Sequence, residues 1–301
     1  MATPPSCWLL RPASAAAEMV VLGAFAVGLV LGLAGWWATR PVLAVPALQR
    51  TNYRDATLPT AAGLIIVLAV VAAQGVVILA HAGGWSFETD TADSRAMVLI
   101  LALGLGFLGL LDDLAGAGQS GGFRGHLSAL AKGRLTTGSL KLFGGAAVGV
   151  LAVAGPRSGS IGRILLDAAL VALCANLANL FDRAPGRTLK VGLAGFLVLV
   201  MATQAPSELA GVALVMGAAA ALLVPDLREE LMLGDVGANV IGGVLGLGLV
   251  LVAAPEVRTI ALVLVAALNL ASEAVSFSRV IDATPPLRAL DRAGRRPSGT
   301  L

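Results

Sequence analysis

The sequence predicts an all-α, polytopic integral membrane protein of about nine transmembrane helices. Three observations predict it. The 301-residue chain is 57% hydrophobic and only 13% charged, where a soluble domain carries about 25% charged residues. Its apolar residues gather into runs close to the ~20 residues that a bilayer-spanning helix needs. Its basic residues fall mostly on every second connection between those runs, the asymmetry that orients membrane proteins. So much apolar surface does not fit a single soluble core of this size.

The first run, 18–38, follows Arg11 and a stretch of small residues. It is long enough to span and is read as a retained helix rather than a cleaved secretory signal. The second, 60–82, carries His81 at its outer end, an interfacial position. The third, 95–114, closes on Asp112 and Asp113. The fourth, 138–155, follows a basic, glycine-rich loop. The fifth, 161–181, bears Asp167 near its outer end and Asn176 and Asn179 further on, and stops at Asp182. The sixth, 188–204, is the shortest, and the seventh covers 207–225. The eighth, 236–254, opens just after Asp235 and contains Gly242, Gly243 and Gly246, small residues that let membrane helices approach closely. The ninth, 258–279, contains Glu273, and residues 280–301 form a cytoplasmic tail. The runs are apolar all round rather than striped, as helices facing lipid and one another are. The chain reads as one membrane domain over 1–301, without repeats. The two cysteines, Cys7 and Cys174, make no disulfide framework.

Counting charges gives the sidedness. The connections after runs 1, 3, 5, 7 and 9 hold sixteen of the 21 Lys and Arg residues; only Arg11, Arg95, Arg157, Arg163 and Arg258 lie on the other side. The odd connections are therefore expected in the cytoplasm, with the N-terminus outside.

The same predicted face carries the unusual acids: Asp112 and Asp113 in LGLLDDLAG, Asp182 after NLANLF and Asp235 in LMLGDVGAN. Each sits where an apolar span meets the polar phase, which spares the ~2.5–3.5 kcal/mol that a charge costs at mid-membrane. Carboxylates collected on one face suit a hard divalent cation that shares its shell with water and phosphate. In an adjacent pair, one carboxylate can hold metal while the other takes a proton. Asn176, Asn179 and Asp182 follow at three-residue steps, roughly along one helix face. Two roles fit them equally: holding a neighbouring helix, or gripping a sugar or nucleoside. The loop GFRGHLSALAKGRLTTGSLK offers cations, hydroxyls and freely placed backbone N–H groups of the kind a pyrophosphate needs. His126 in it is a candidate proton carrier.

With these motifs in view, the chain resembles the polyprenyl-phosphate N-acetylhexosamine-1-phosphate transferases, the MraY/WecA-like membrane enzymes. The resemblance covers most of the chain from Asn52 to Glu273, with the motifs in the family's order. Asn52 followed by LPTAAG resembles the first-loop motif, including Thr60. LLDDL resembles the aspartate pair, Lys132 the second-loop lysine, NLANLFD the Asn-x-x-Asn-x-x-Asp motif, and LGDVGANVIGG the Gly-Asp-x-Gly-Ser/Ala motif. The chain departs from the family after Asp182, where Arg183, Ala184, Pro185 and Gly186 replace Gly-x-Asp-Gly. Met232 stands where an aromatic is expected. The tail TPPLRALDRAGRRP stands where the family has a histidine-rich loop.

The resemblance implies a Mg²⁺-dependent enzyme, with Mn²⁺ as a substitute metal, at a bacterial plasma membrane. A cytoplasmic nucleotide sugar, usually a UDP-N-acetylhexosamine, would react with a polyprenyl phosphate such as undecaprenyl phosphate. UMP would leave, and a lipid diphosphosugar for the cell envelope would remain. It implies Asp235 as metal ligand, with Asp112 and Asp113 assisting the metal and positioning or deprotonating the lipid phosphate. It implies Lys132 on phosphate, Asn52 and Thr60 in the first-loop site, and Asn179 and Asp182 on nucleoside or sugar; His126 and Asn176 stand beside them as further substrate-binding candidates. Arg288 and Arg292 would replace the absent histidines as phosphate cations. The expected partners are the lipid, the donor and the membrane, with no nucleic acid and with a homodimer left open. Two other readings compete: a non-catalytic descendant that binds lipid-linked sugars or assists envelope assembly, and a transporter, which would place its acids nearer mid-membrane.

Overall fold

The structure, a computed structural model, describes residues 14–85, 91–115, 137–154 and 159–296. All nine predicted runs are helical. They are α1 (Ala15–Leu43), α2 (Leu64–Ala82), α3 (Ala92–Ala115), α4 (Thr137–Val153), α5 (Ile161–Phe181), α6 (Arg187–Thr203), α7 (Ala210–Leu227, led in by a 3₁₀ turn), α8 (Gly234–Val252) and α9 (Pro255–Ser272). Among the described residues, seven helices are long and apolar enough to cross a membrane. The two short ones are α4 and α6, each of 17 residues, or ~26 Å at about 1.5 Å per residue.

One expectation is corrected at the edge of these runs. The ninth run does not continue to 279. Its helix stops at Ser272 with Glu273 as the C-cap, and Glu273 is exposed rather than set within a span. The chain then forms two short helices, α10 (Phe277–Ala283) and α11 (Pro285–Arg292). Thr284 ends the first of them because Pro285 and Pro286 favour an extended residue before them. The all-α fold carries one small extended element. Between α1 and α2, β1 (Gln49–Thr51) pairs antiparallel with β2 (Thr57–Pro59), with Gln49 opposite Pro59.

The centre of the bundle is α8. It packs on α5 and α3 most extensively and on α6, α7 and α2 as well, and nearly all of its residues from Gly234 to Gly248 are buried. Its glycines make this packing close: a Cβ at Gly242 would overlap the Cys174 carbonyl oxygen on α5. At the periphery, α1 lies along α7, and α9 leans mainly on α5. No residue of α9 is buried, and its Ile260, Val263, Leu264 and Leu270 are exposed, as on a lipid-facing helix.

Hydrogen bonds gather the α1–α2 hairpin, the end of α3, the start of α4, the α5–α6 turn and the α7–α8 turn at one end of the bundle. At the other end Asp167 is buried between Arg163, one helical turn earlier, and Arg258 at 2.7 Å. An intramembrane acid is thereby neutralised by two arginines that approach from the interface. A crevice of about 2000 Å³, mostly apolar, opens beside this trio between α3, α4, α5, α6, α8 and the start of α9. The acids at the first end do not line it.

Candidate active site

The site begins with the hairpin. At its tip Asn52 Oδ1 accepts from the amides of Arg54 (2.8 Å) and Ala56 (3.0 Å), a local bond that favours turns. Its Nδ2 donates to Glu229 in the α7–α8 turn at 2.8 Å, and Arg54 pairs with Glu229 at 3.1 Å. The two turns are then stitched by their backbones. The Met232 amide donates to the Pro59 carbonyl (2.7 Å), Ala62 to Met232 (3.2 Å) and Gly63 to Leu233 (2.9 Å). Thr60 is buried within this stitch, and its amide donates to Leu48 at 2.7 Å. Asn52 and Thr60 therefore shape the platform beneath the acids.

The last turn of α3 stands on that platform. Arg50 donates to the carbonyls of Asp113 (2.8 Å) and Leu114 (3.3 Å), a cation on the carbonyl end of a helix. Asp113 turns its carboxylate to the amides of Asp235 (3.1 Å) and Val236 (3.3 Å). It thus caps the N-terminus of α8, where orphan amides and the helix dipole favour negative charge. Gly234 turns the chain into α8 at φ +72°. A Cβ there would lie 2.6 Å from Asp113 Oδ2, so the cap needs a glycine at this position.

Lys141 joins the acids. From the first turn of α4 its ammonium reaches Asp112 at 3.4 Å and contacts Asp235. With the Asn179 amide oriented by its partners, its nitrogen donates to Asp235 at 2.7 Å and its oxygen accepts from Lys141 at 2.7 Å. Four helices, α3, α4, α5 and α8, so deliver one cluster. Its three carboxylates against one ammonium leave a formal charge of −2.

The donor set can be weighed against a divalent cation. Each oxygen of Asp113 accepts one amide of α8, so its carboxylate caps that helix as well as standing beside the point where a metal is expected. Among the described residues no three Asp, Glu, His or Cys side chains stand as a ready metal cage. Asp112 and Asp235 do converge on one cationic point, held here by the Lys141 ammonium. Two carboxylates with water and phosphate are what Mg²⁺ takes at phosphoryl sites, so this pair fits it.

Asp182 ends α5 beside the cluster. Burial pushes its carboxyl well above the usual carboxylate range, the charges of Asp226 and Asp235 push it further, and a bond from Thr188 opposes them. The native state thus holds this proton more tightly than the unfolded chain does. Folding stability falls as pH rises from the ordinary value of 3.8 through the raised one, and the full cost remains above it. Asp182→Asn removes the ionisation. Its Tm is expected to exceed the parent's at pH 8 and to match it near pH 4. An unchanged difference across that range would show that Asp182 carries no such cost.

The structure separates other expected site residues from this cluster. Asn176 is exposed and donates to Asn269 of α9 at 2.6 Å, so it holds a neighbouring helix. At ~100° per residue each three-residue step drifts by about 60°. Asn176, Asn179 and Asp182 therefore fan across the helix rather than sharing a face. Arg288 donates to the Asp282 carbonyl at 3.1 Å, and Arg292 pairs with the Asp282 side chain at 3.3 Å, both within the tail. Lys132 and His126 lie outside the described residues.

Sequence reading also passed over a second cluster. Asp226, buried on α7, accepts from the Gly186 amide at 2.8 Å. Arg187 makes a two-pronged contact with Asp291 of α11 (2.8 and 3.0 Å) and donates to Ser278 at 2.8 Å. Arg295 pairs with Asp291 at 2.6 Å and donates to the Pro185 carbonyl at 3.0 Å. Burial pushes the Asp291 carboxyl up, but Arg187 and Arg295 outweigh it and hold the group below its usual value. The tail is thereby bound to the turn that follows Asp182.

The chain matches no protein-family model and no curated protein sequence.

Proposed function

We propose that this protein transfers a sugar-1-phosphate from a nucleotide sugar, a UDP-N-acetylhexosamine in the first instance, to a polyprenyl phosphate at the cytoplasmic face of a bacterial plasma membrane. One observation carries the reading. Four of the polar residues implied by the resemblance, Asp112, Asp113, Asn179 and Asp235, meet at one end of an apolar helix bundle, around a lysine.

In the reaction an oxygen of the lipid phosphate attacks the β-phosphorus of the donor. The new P–O bond forms as the bond to the α-phosphate oxygen breaks, and UMP carries away that electron pair. Such transfers ask a protein mainly for positioning and charge stabilisation. Mg²⁺ held by Asp112 and Asp235 would neutralise the crowded phosphates. With the metal between Asp112 and Asp235, the Lys141 ammonium would move off that point and donate to phosphate oxygens from beside it. Asp112, beside the Lys141 ammonium, would take the proton of a monoprotonated lipid phosphate. Asp113 holds the start of α8, and with it the Asp235 backbone, in place. Asn179 fixes the Asp235 side chain, and Asp182 faces the donor's sugar or base.

A non-catalytic descendant is the second reading. The observation that favours it is the pairing of Lys141 with both Asp112 and Asp235, which satisfies the acids without any metal. The deciding experiment uses purified protein with undecaprenyl phosphate, Mg²⁺ and a panel of UDP-sugars. Mg²⁺-dependent UMP release together with a lipid-linked sugar product is expected. Lipid binding without release for any donor would sink the transferase reading in favour of the second.

A further inference from the structure

Three consecutive residues where α6 begins are held from three different elements. Gly186 is held by α7, its amide donating to the buried Asp226 at 2.8 Å. Arg187 is held by the tail: it grips Asp291 of α11 with two nitrogens, at 2.8 and 3.0 Å, and donates to Ser278 at 2.8 Å. Thr188 is held by α5: its hydroxyl meets the Asp182 carboxyl and donates to the Ala178 carbonyl at 3.3 Å. Arg187 and Thr188 are both buried, 5% and 2% exposed. The tail and Asp182 thus hold neighbouring residues of a single helical turn.

The tail's side of this junction is firm. The Lys190 ammonium donates to the carbonyls of Leu290 (3.0 Å), Asp291 (2.9 Å) and Ala293 (2.6 Å). Arg295 pairs with Asp291 at 2.6 Å and bonds the Pro185 carbonyl at 3.0 Å. The turn between α5 and α6 has less of its own. The Asp182 and Arg183 amides bond back to Asn179 (3.1 Å) and Phe181 (2.7 Å), and Gly186 turns at φ +70°. Its position is therefore set by what grips it.

An arginine buried without its carboxylate is an uncompensated charge, which is strongly unfavourable. Without Asp291 the Arg187 side chain must reach for water. The first turn of α6 moves with it, and Thr188 is drawn away from Asp182. We propose that Asp291 is a positioning residue for the nucleotide-sugar end of the site: through Arg187 and Thr188 it sets where Asp182 stands. The role given to Asp182 rests on the transferase reading, whereas the linkage to the tail does not.

The test compares Asp291→Ala with the parent as full chains in detergent. Without substrate, amides over 182–190 should exchange several-fold faster, while those of α2 keep their rates. Equal exchange over 182–190 overturns the linkage, whatever the protein catalyses. Donor affinity tests the role. The Kd for UDP-N-acetylhexosamines, measured by equilibrium dialysis with Mg²⁺, should rise several-fold, with UMP release at saturating donor nearly unchanged. Asp291→Glu, which can still pair with both arginines, should restore the affinity. In an Asp182→Ala background, Asp291→Ala should add little, because coupled residues are not additive. Full additivity, or a loss confined to the maximal rate, would make Asp291 a general support of the fold and overturn the proposal. A parent that binds donor but releases no UMP would end the transferase reading and leave Asp291 its role. A parent that binds no donor would overturn both. If Asp291→Ala does not purify folded, Asp291→Asn gives the same readings at smaller amplitude, because its one acceptor oxygen keeps part of the pair.

Discussion

Under the proposed transferase function, Asp235→Asn is expected to lower sugar-phosphate transfer by about 10²–10³-fold, the loss seen when one group that stabilises transition-state charge is removed. The fold should survive. The Asp113 cap binds the backbone amide at 235, not the side chain, and Lys141 retains Asp112 as a counter-ion. An Asn at 235 still presents an oxygen to Asn179. The loss should fall on kcat more than on KM, because the group acts on charge that develops during transfer. Tm should stay within a few degrees of the parent. Asp113→Asn makes the contrast: it weakens a helix cap and should lower Tm, by an amount reflecting ~1 kcal/mol. Normal turnover in Asp235→Asn would remove the acid cluster from the chemistry altogether.

Gly63→Ala is expected to be strongly destabilising. Gly63 enters α2 against Gly237 of α8, where a Cβ would overlap the Gly237 backbone. A flexible side chain could move aside, but backbone cannot, so the stitch between the hairpin and the α7–α8 turn must open. Overpacking of this kind costs about 1–3 kcal/mol and sometimes more, and here the upper end applies. Gly75→Ala, in the same helix, meets nothing within 4 Å and serves as the control. Thermal unfolding in detergent should show a large drop for the first and none for the second. Equal curves would mean that Gly63 and Gly237 are not in backbone contact.

The nine long helices among the described residues were legible because lipid asks for one property along ~20 residues, and a run of Val, Leu, Ala and Gly advertises it locally. Details that depend on distant partners were not. The β1–β2 hairpin has strands of three residues, too short for an alternating pattern, and it is held by Glu229 and Met232 from far along the chain. The acids stood out because charge at a membrane boundary is rare. Lys141 did not, because it looks like the last basic residue of a basic loop; only its place in the first turn of α4 turns it toward Asp235. Asn176 was misleading because three-residue spacing suggests a shared face that 3.6 residues per turn does not keep. Arg187 and Asp291 lie 104 residues apart, and nothing local in either segment points to the other.

The cap of Asp113 on the start of α8 has a consequence for biosynthesis. The amide it binds is made 122 residues later. A growing chain therefore inserts α3 with its acid pair still waiting for a partner. The platform of Pro59 and Gly63 likewise lacks its complement until residues 232 and 233 emerge. The acid cluster is thus a late product of translation, completed only when the eighth helix threads between those already in the bilayer. A ribosome that stalls before that point leaves an apolar bundle with charged ends and no assembled site.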